Sequence, residues 1–149
     1  MSISNSFREK SPTYQIGITG LLSKNAFQTY LKNANVSLTP EQVGVLNLIL
    51  EEDNLSMQEL SNRNNRDNSA TTRLIDNLEK KKFVKRKSSR TDRRVWLIHL
   101  TLKGKEEVLR ANLIGKKYVE KIIRNIDSDD LETFMKVIKT IRGNIIELN

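Results

Sequence analysis

Apolar residues recur along most of this chain at helical spacing, interrupted once by two short β-rich runs. Tyr14, Ile18, Leu21, Leu22, Phe27, Tyr30 and Leu31 are spread broadly around a helix expected from about Pro12 to Asn33, a distribution that implies more than one packing neighbour. Ser11-Pro12 supplies its start, because proline at the first helical position forfeits no hydrogen bond and has φ preset. Gly17 and Gly20 weaken it locally. Thr39-Pro40-Glu41-Gln42 is a capping box, in which a hydroxyl and a carboxamide satisfy each other's free N–H groups; it opens a helix expected to bury Val43, Leu46, Leu48 and Leu50. Ser56-Met57-Gln58-Glu59 is a second capping box. It opens a short helix that ends in the polar stretch Asn62 to Arg66.

A further helix is expected from Asp67 or Asn68, either of which can accept the free N–H groups of a first turn. Its apolar face is Leu74, Ile75 and Leu78, and Ser69, Thr71, Thr72, Arg73 and Asn77 form the opposite face. Phe83 to Lys87 and Arg94 to Leu100 read as strands, with Ser88 to Arg93 as an extended hairpin tip. From Thr101, an N-cap candidate, a long helix is expected to about Ile126, with Leu102, Val108, Leu109, Leu113, Tyr118, Ile122 and Ile126 as its stripe. A last helix from Ser128 spaces Leu131, Phe134, Ile138, Ile141, Ile145 and Leu148 alternately by three and four, a heptad-type seam. The first helix and the last two carry more apolar stripe than a core of about 65 central residues can cover. An interface with a second subunit is therefore expected, in preference to packing back on the same chain.

Composition narrows the chemistry. A length of 149 residues fits one compact domain, or one with appended helices. The absence of cysteine removes disulfides, thiol redox sensing and thiolate zinc sites, and agrees with a reducing, cytoplasmic location. His99 is the only histidine, too few for a histidine-rich metal site, and its strand-like surroundings make it a structural residue. Met1 to Lys10 holds no apolar run, and the longest apolar stretches fall far short of the ~20 residues of a membrane span. No nucleophile and base stand at a diagnostic spacing, and there is no phosphate-binding glycine loop and no metal cluster. No enzyme, cofactor or metal is expected. Asp129 and Asp130 are better explained as favourable charge at a helix N-terminus.

Charge changes the picture most. Of 26 basic residues, nine fall between Lys80 and Arg94 (Lys80, Lys81, Lys82, Lys85, Arg86, Lys87, Arg90, Arg93, Arg94), against one of the 18 acids, Asp92. The remaining 17 of each sign cancel, so the whole +8 of the chain sits in this segment. Such a block is either a solvated surface or the footprint of an anionic partner, and a polyphosphate backbone is the commonest partner that rewards such clustering.

Three short helices followed by a two-stranded basic hairpin is the order of a winged helix-turn-helix. The helix from Asn68 begins with small residues, so its first turn can come close to base edges in a major groove. Ser69, Thr71 and Thr72 offer hydroxyls to bases or phosphates, and Arg73 a bidentate contact to guanine. The same face also reads as an ordinary solvated surface, though one poorer in Glu and Lys than usual. The hairpin tip would lie in the flanking minor groove, where narrow A·T stretches attract arginine.

Four blocks carry a family resemblance: LTPEQVGVLNLI (Leu38 to Ile49), SMQELSNR (Ser56 to Arg63), DNSATTRLIDNLEKKKFVKRKSS (Asp67 to Ser89) and DRRVWLIHLTLKG (Asp92 to Gly104). In order and content the chain resembles the MarR-type transcriptional regulators. The resemblance implies a mainly α (α+β) fold: residues 1–36 an N-terminal helical part of a dimerisation region, 37–100 a winged helix-turn-helix lobe, 101–149 C-terminal dimerisation helices. It implies a homodimer on pseudo-palindromic double-stranded DNA, usually a repressor. Carried onto matching positions, Ser69, Thr71, Thr72 and Arg73 would read the major groove, with Asn68 at the helix start. Lys87, Arg90, Arg93 and Arg94 would lie at the wing, Asp92 orienting a neighbouring arginine.

The family commonly has glycine where Lys82 stands, closing the recognition helix in a left-handed turn. Lysine would there cost roughly 1 kcal/mol, so either the turn differs or its charge at a phosphate outweighs the strain. Thiol-based oxidant sensing is excluded for this member. The resemblance also implies release by a small aromatic effector, in a pocket between the dimerisation helices and the lobe where Tyr14, Phe27 and Tyr30 are placed; aromatics at such positions are also ordinary core. The alternative function is a winged-helix interaction protein using the basic hairpin on an acidic protein or RNA.

Overall fold

Helix caps written into the sequence set the element order in the computed structural model, which describes residues 8–64 and 66–148. Helix α1 (Pro12–Asn33) starts at Ser11, whose hydroxyl accepts from the Tyr14 N–H. Helix α2 (Pro40–Glu51) starts at the Thr39 box, with Gln42 N donating to Thr39 Oγ1 and Thr39 N to Gln42 Oε1. Strand β1 (Leu55–Ser56) leads into α3 (Met57–Arg63) through the reciprocal Ser56 and Glu59 contacts. Helix α4 (Asn68–Lys80) is capped by Asp67, whose Oδ1 accepts from Ala70 N at 2.7 Å. Strands β2 (Val84–Ser88) and β3 (Trp96–Leu100) follow, then α5 (Leu102–Ile122) and α6 (Ser128–Glu147). The expected break at Asn62 to Arg66 ends α3 after Arg63; Asn65 lies outside the described residues.

The sheet is antiparallel in the order β1-β3-β2. Val84 faces Leu100 and Ser88 faces Trp96 along the hairpin, while Leu55 pairs with Ile98 on the other edge of β3. The two-residue β1 was not expected from the sequence.

The chain forms two compact units, residues 1–116 and 117–149. In the first, Leu46, Leu60, Ile75, Leu78, Val84 and Ile98 form a closed core with Leu31 from the end of α1 and Val108 and Ala111 from α5. Each buried aliphatic side chain contributes about 1.5–3 kcal/mol relative to exposure. The end of α1 and the first half of α5 thus belong to the core of the winged lobe. Glu107 fixes them further: it accepts from the Ser37 N–H at 2.8 Å and from Arg110, which also donates to the Ala34 carbonyl. Asn47 and Asn112 exchange amide hydrogen bonds at 3.0 and 2.8 Å, joining α2 to α5.

Several expectations are corrected. Leu48 and Leu50 are only half-buried, and Val45 and Ile49 occupy the core face of α2. Helix α5 stops at Ile122 instead of near Ile126, and Asn125 takes a left-handed conformation, φ 65°, in the turn that follows. In the first unit Ile16, Leu21, Leu22, Leu109 and Leu113 are exposed; in the second, no residue of α6 is buried and Phe134, Ile145 and Leu148 face solvent. Among the described residues no helix is long and apolar enough to cross a membrane.

Candidate nucleic-acid interface

Helix α4 sorts its polar residues into two groups. Ser69, Thr72, Arg73 and Asn77 are exposed, and Arg73 makes no ion pair or hydrogen bond among the described residues. Thr71 belongs elsewhere. It is fully buried, its hydroxyl donating to the Asp67 carbonyl at 3.1 Å, because it lies one helical turn before Ile75 on the core face. A base-reading role for Thr71 is therefore withdrawn. Thr72 Oγ1 donates to the Asn68 carbonyl at 2.8 Å. That commits its proton and leaves the oxygen to accept and the methyl to pack, the two contacts an adenine amino group and a thymine methyl offer. Asn68 donates to Gln58 Oε1, so the start of α4 is tied to α3.

The end of α4 is a Schellman motif. Phe83 N donates to the Leu78 carbonyl at 2.9 Å and Lys82 N to the Glu79 carbonyl at 2.8 Å, with Lys82 at φ 62°. The turn that glycine favours is kept, with lysine in it. The three other non-glycine residues at positive φ, among the described residues, are all asparagine. Lys82 is exposed and its charge is free to face solvent.

The basic segment divides into internally bonded and exposed cations. Arg86 is half-buried and bridges Asp76 at 2.6 Å and Glu79 at 2.5 Å, so strand β2 is bonded to α4 and the acid nearest Arg73 on that face is neutralised. Lys81 donates to the Ser37 carbonyl at 2.5 Å and to Gln42. Lys80, Lys82, Lys85, Lys87, Arg90, Arg93 and Arg94 remain exposed. Sequence order alone could not separate these groups, because the partners of Arg86 and Lys81 come from other elements.

The wing tip is ordered by its own polar residues. Ser89 N donates to the Val95 carbonyl at 2.8 Å, Val95 N to the Asp92 carbonyl at 2.9 Å, and the Ser89 hydroxyl accepts from the Thr91 and Asp92 N–H groups. Asp92 accepts from Arg94 N at 2.9 Å and from Arg94 Nε at 3.3 Å. The Arg94 backbone N–H and then its guanidinium hold the Asp92 carboxyl below the usual aspartate value of 3.8. Arg94 itself is 91% exposed. Asp92 thus aims an arginine that no other described residue holds.

The aromatic candidates do not converge. Tyr14 and Phe27 are 13 residues apart on one helix, roughly 20 Å along its axis. Phe27 packs against the core and next to Gly115, while Tyr14 is exposed and Tyr30 half-buried. His99 sits in β3 with its side chain only 12% exposed, in keeping with a structural residue; its Nδ1 lies 3.1 Å from Asp53, and it lines a surface cleft with Asn54 and Lys87. Among the described residues no cluster of His, Cys, Asp and Glu could hold a metal ion.

Comparison with known proteins places these features. The MarR family model matches residues 38–96. The chain is 25% identical over 112 residues to the uncharacterized HTH-type transcriptional regulator YdgJ of Bacillus subtilis (strain 168), covering 75% of this chain and 68% of that protein. It is 31% identical over 102 residues to the HTH-type transcriptional regulator PapX of Escherichia coli, 68% of this chain and 62% of that one. Among solved structures, a mutant MarR from E. coli complexed with operator DNA superposes with a TM-score of 0.82 at 25% identity, over 91% of this chain and 96% of that one.

Proposed function

We propose that the chain is a transcriptional regulator of the MarR type, a homodimeric, cytoplasmic repressor that binds a pseudo-palindromic duplex and is released by a small ligand. The observation that carries DNA binding is the pairing of an exposed Ser69, Thr72 and Arg73 face on α4 with an exposed cationic wing in the same lobe. A groove reader needs both: a helix surface small enough to approach base edges, and charges beside it to hold the phosphates. In this reading Asn68, Ser69, Thr72 and Arg73 address the major groove, and Lys87, Arg90, Arg93 and Arg94 hold the flanking backbone or minor groove, with Asp92 aiming Arg94. The exposed apolar residues of α1, α5 and α6 supply the surface for a second copy.

Fluorescence anisotropy with duplexes recovered by genomic footprinting tests it, with sedimentation run alongside. A dimer is expected, with affinity falling about 10³- to 10⁵-fold between 50 and 200 mM salt if roughly six to ten phosphates are contacted. A monomer with a shallow salt slope and no preference among duplexes would refute the reading.

A further inference from the structure

The chain's single tryptophan stands where the core does not use it. Trp96 opens β3 opposite Ser88, and directly opposed residues share a sheet face, so it lies on the same side as the pair two positions inward, Arg86 and Ile98. Ile98 is fully buried and Arg86 reaches Asp76 and Glu79, which makes this the face that α4 covers. Trp96 stands roughly 7 Å further toward the tip. There it is 50% exposed, it is not among the side chains packed on the core of the lobe, and its indole N–H has no acceptor among the described residues. A scattered exposed leucine needs no explanation, whereas an indole left half in water forgoes a large burial and a hydrogen bond that tryptophan usually makes.

The surroundings select the occupant. The Arg86 to Asp76 bridge closes the gap between wing and α4 from below, with exposed Arg73 one turn along α4 from Asp76, and with Arg93 and Arg94 exposed just before Trp96. A duplex that seats α4 in its major groove and the wing tip in the adjacent minor groove passes one sugar–phosphate strand between them. That strand offers what the side chain lacks: deoxyribose C–H surface for the ring and a phosphate oxygen for the N–H, which donates and never accepts. Its anionic and apolar surfaces alternate, matching an indole set among arginines.

We propose that Trp96 clamps the sugar–phosphate strand that runs between the two grooves, its ring on a deoxyribose and its Nε1–H on a phosphate oxygen. The clamp rests on the DNA-binding reading above and adds to it a contact that carries no charge.

Because Trp96 is the only tryptophan, selectively excited indole emission reports on it alone. The full chain is titrated with a duplex recovered by genomic footprinting: anisotropy of a labelled copy reads the complex, and acrylamide quenching of indole emission with an unlabelled copy reads the cover over Trp96. Quenching is expected to fall about threefold on saturation with duplex, and to stay unchanged with inorganic tripolyphosphate, which meets the same cations without a sugar. Trp96→Ala is expected to lower duplex affinity about tenfold and Trp96→Phe about threefold, since both lose the N–H and only the first loses the ring. Both salt slopes should equal the parent's, because no charge is removed. Urea denaturation should find both variants as stable as the parent, and if Trp96→Ala fails to fold, quenching of the unaltered protein still decides. A complex seen by anisotropy with Trp96 quenched as in the free protein, or parental affinity for Trp96→Ala, would overturn the clamp and leave DNA binding standing. Protection by a single-stranded oligonucleotide or by poly-glutamate equal to that by duplex would assign the indole to base stacking or to an acidic protein, and would equally overturn it. Absence of any duplex complex by anisotropy would remove the DNA-binding reading and the clamp with it.

Discussion

The first turn of α5 passes so close to the Phe83 carbonyl that a Cβ on Gly104 would overlap its oxygen. The same carbonyl accepts from the Thr101 N–H at 3.0 Å, and the Thr101 hydroxyl accepts from Gly104 N at 3.0 Å. The wing's first strand and the start of α5 are therefore fused at one peptide group. Gly104→Ala must displace backbone on one side, which should destabilise the protein by about 3 kcal/mol despite alanine's better helix propensity. Gly44, inside α2, has open space where its Cβ would go, so Gly44→Ala should gain about 1 kcal/mol. Urea denaturation of the pair decides the matter; equal stabilities would mean the junction yields freely.

Lys82 occupies a left-handed position that disfavours any side chain. Lys82→Gly should raise stability by about 1 kcal/mol, or about 2–4 °C in Tm, while leaving the Schellman hydrogen bonds in place. If the lysine is kept for a phosphate contact, the same variant should bind duplex DNA more weakly and with a salt slope smaller by about one per lobe. A more stable variant with unaltered DNA affinity would leave the lysine without that justification.

Arg86 joins the wing to the recognition helix through Asp76 and Glu79. Both acids are more than a third exposed, so solvent screening holds the stability loss of Arg86→Ala to about 1 kcal/mol. Its effect on DNA binding should be larger than its effect on folding, because Asp76 would then stand unneutralised one turn from Arg73. Anisotropy should show weaker binding to every duplex; a variant that loses stability but binds normally would show that Asp76 does not face the phosphates.

What the sequence made legible was local. The caps at Thr39 and Ser56 were readable because a capping box closes within four residues, and the one at Ser11 because Pro12 marks the first helical position; the helix starts follow from them. The β1 strand was not, since Leu55 finds Ile98 only through tertiary folding and two residues carry no periodicity. Thr71 was misplaced because residue type outweighed helical angle: its spacing of four from Ile75 already set it on the core side. The stop of α5 before Asn125 carried a usable signal, as asparagine is the side chain best suited to a left-handed turn. The separation of Arg86 and Lys81 from the exposed cations had none, because their acceptors, Glu79 and Asp76 in one case and Ser37 in the other, are defined only by the packed structure.

Asp92 gives the wing a defined dependence on pH. Its folded value lies below the unfolded one, so the order it imposes on Arg94 is fully present above the ordinary aspartate value of 3.8 and is lost as pH falls through the lower folded value. Wing order followed by NMR should be flat from pH 8 to about 5. Asp92→Asn raises the local positive charge, so charge alone would strengthen binding to every DNA. Positioning predicts the opposite for the cognate site: operator affinity should fall while affinity for random duplex holds or rises. A parallel rise on both would show that Asp92 does not aim Arg94.

Arg73 separates sequence reading from simple attraction. It is exposed on α4 beside Ser69 and Thr72, without a protein partner among the described residues, so its guanidinium is available to a base edge. A bidentate contact to guanine contributes about 1–3 kcal/mol of discrimination at one base pair, whereas a phosphate contact lowers affinity for all sequences alike when removed. Arg73→Ala should therefore flatten the preference at particular operator positions in a library selection and leave the remaining positions unchanged. The double change Arg93→Ala with Arg94→Ala should lower affinity across the whole library and shrink the salt slope, with the preference profile retained. Uniform losses from Arg73→Ala would assign that residue to the backbone and leave Asn68, Ser69 and Thr72 as the base-reading candidates on the exposed face of α4.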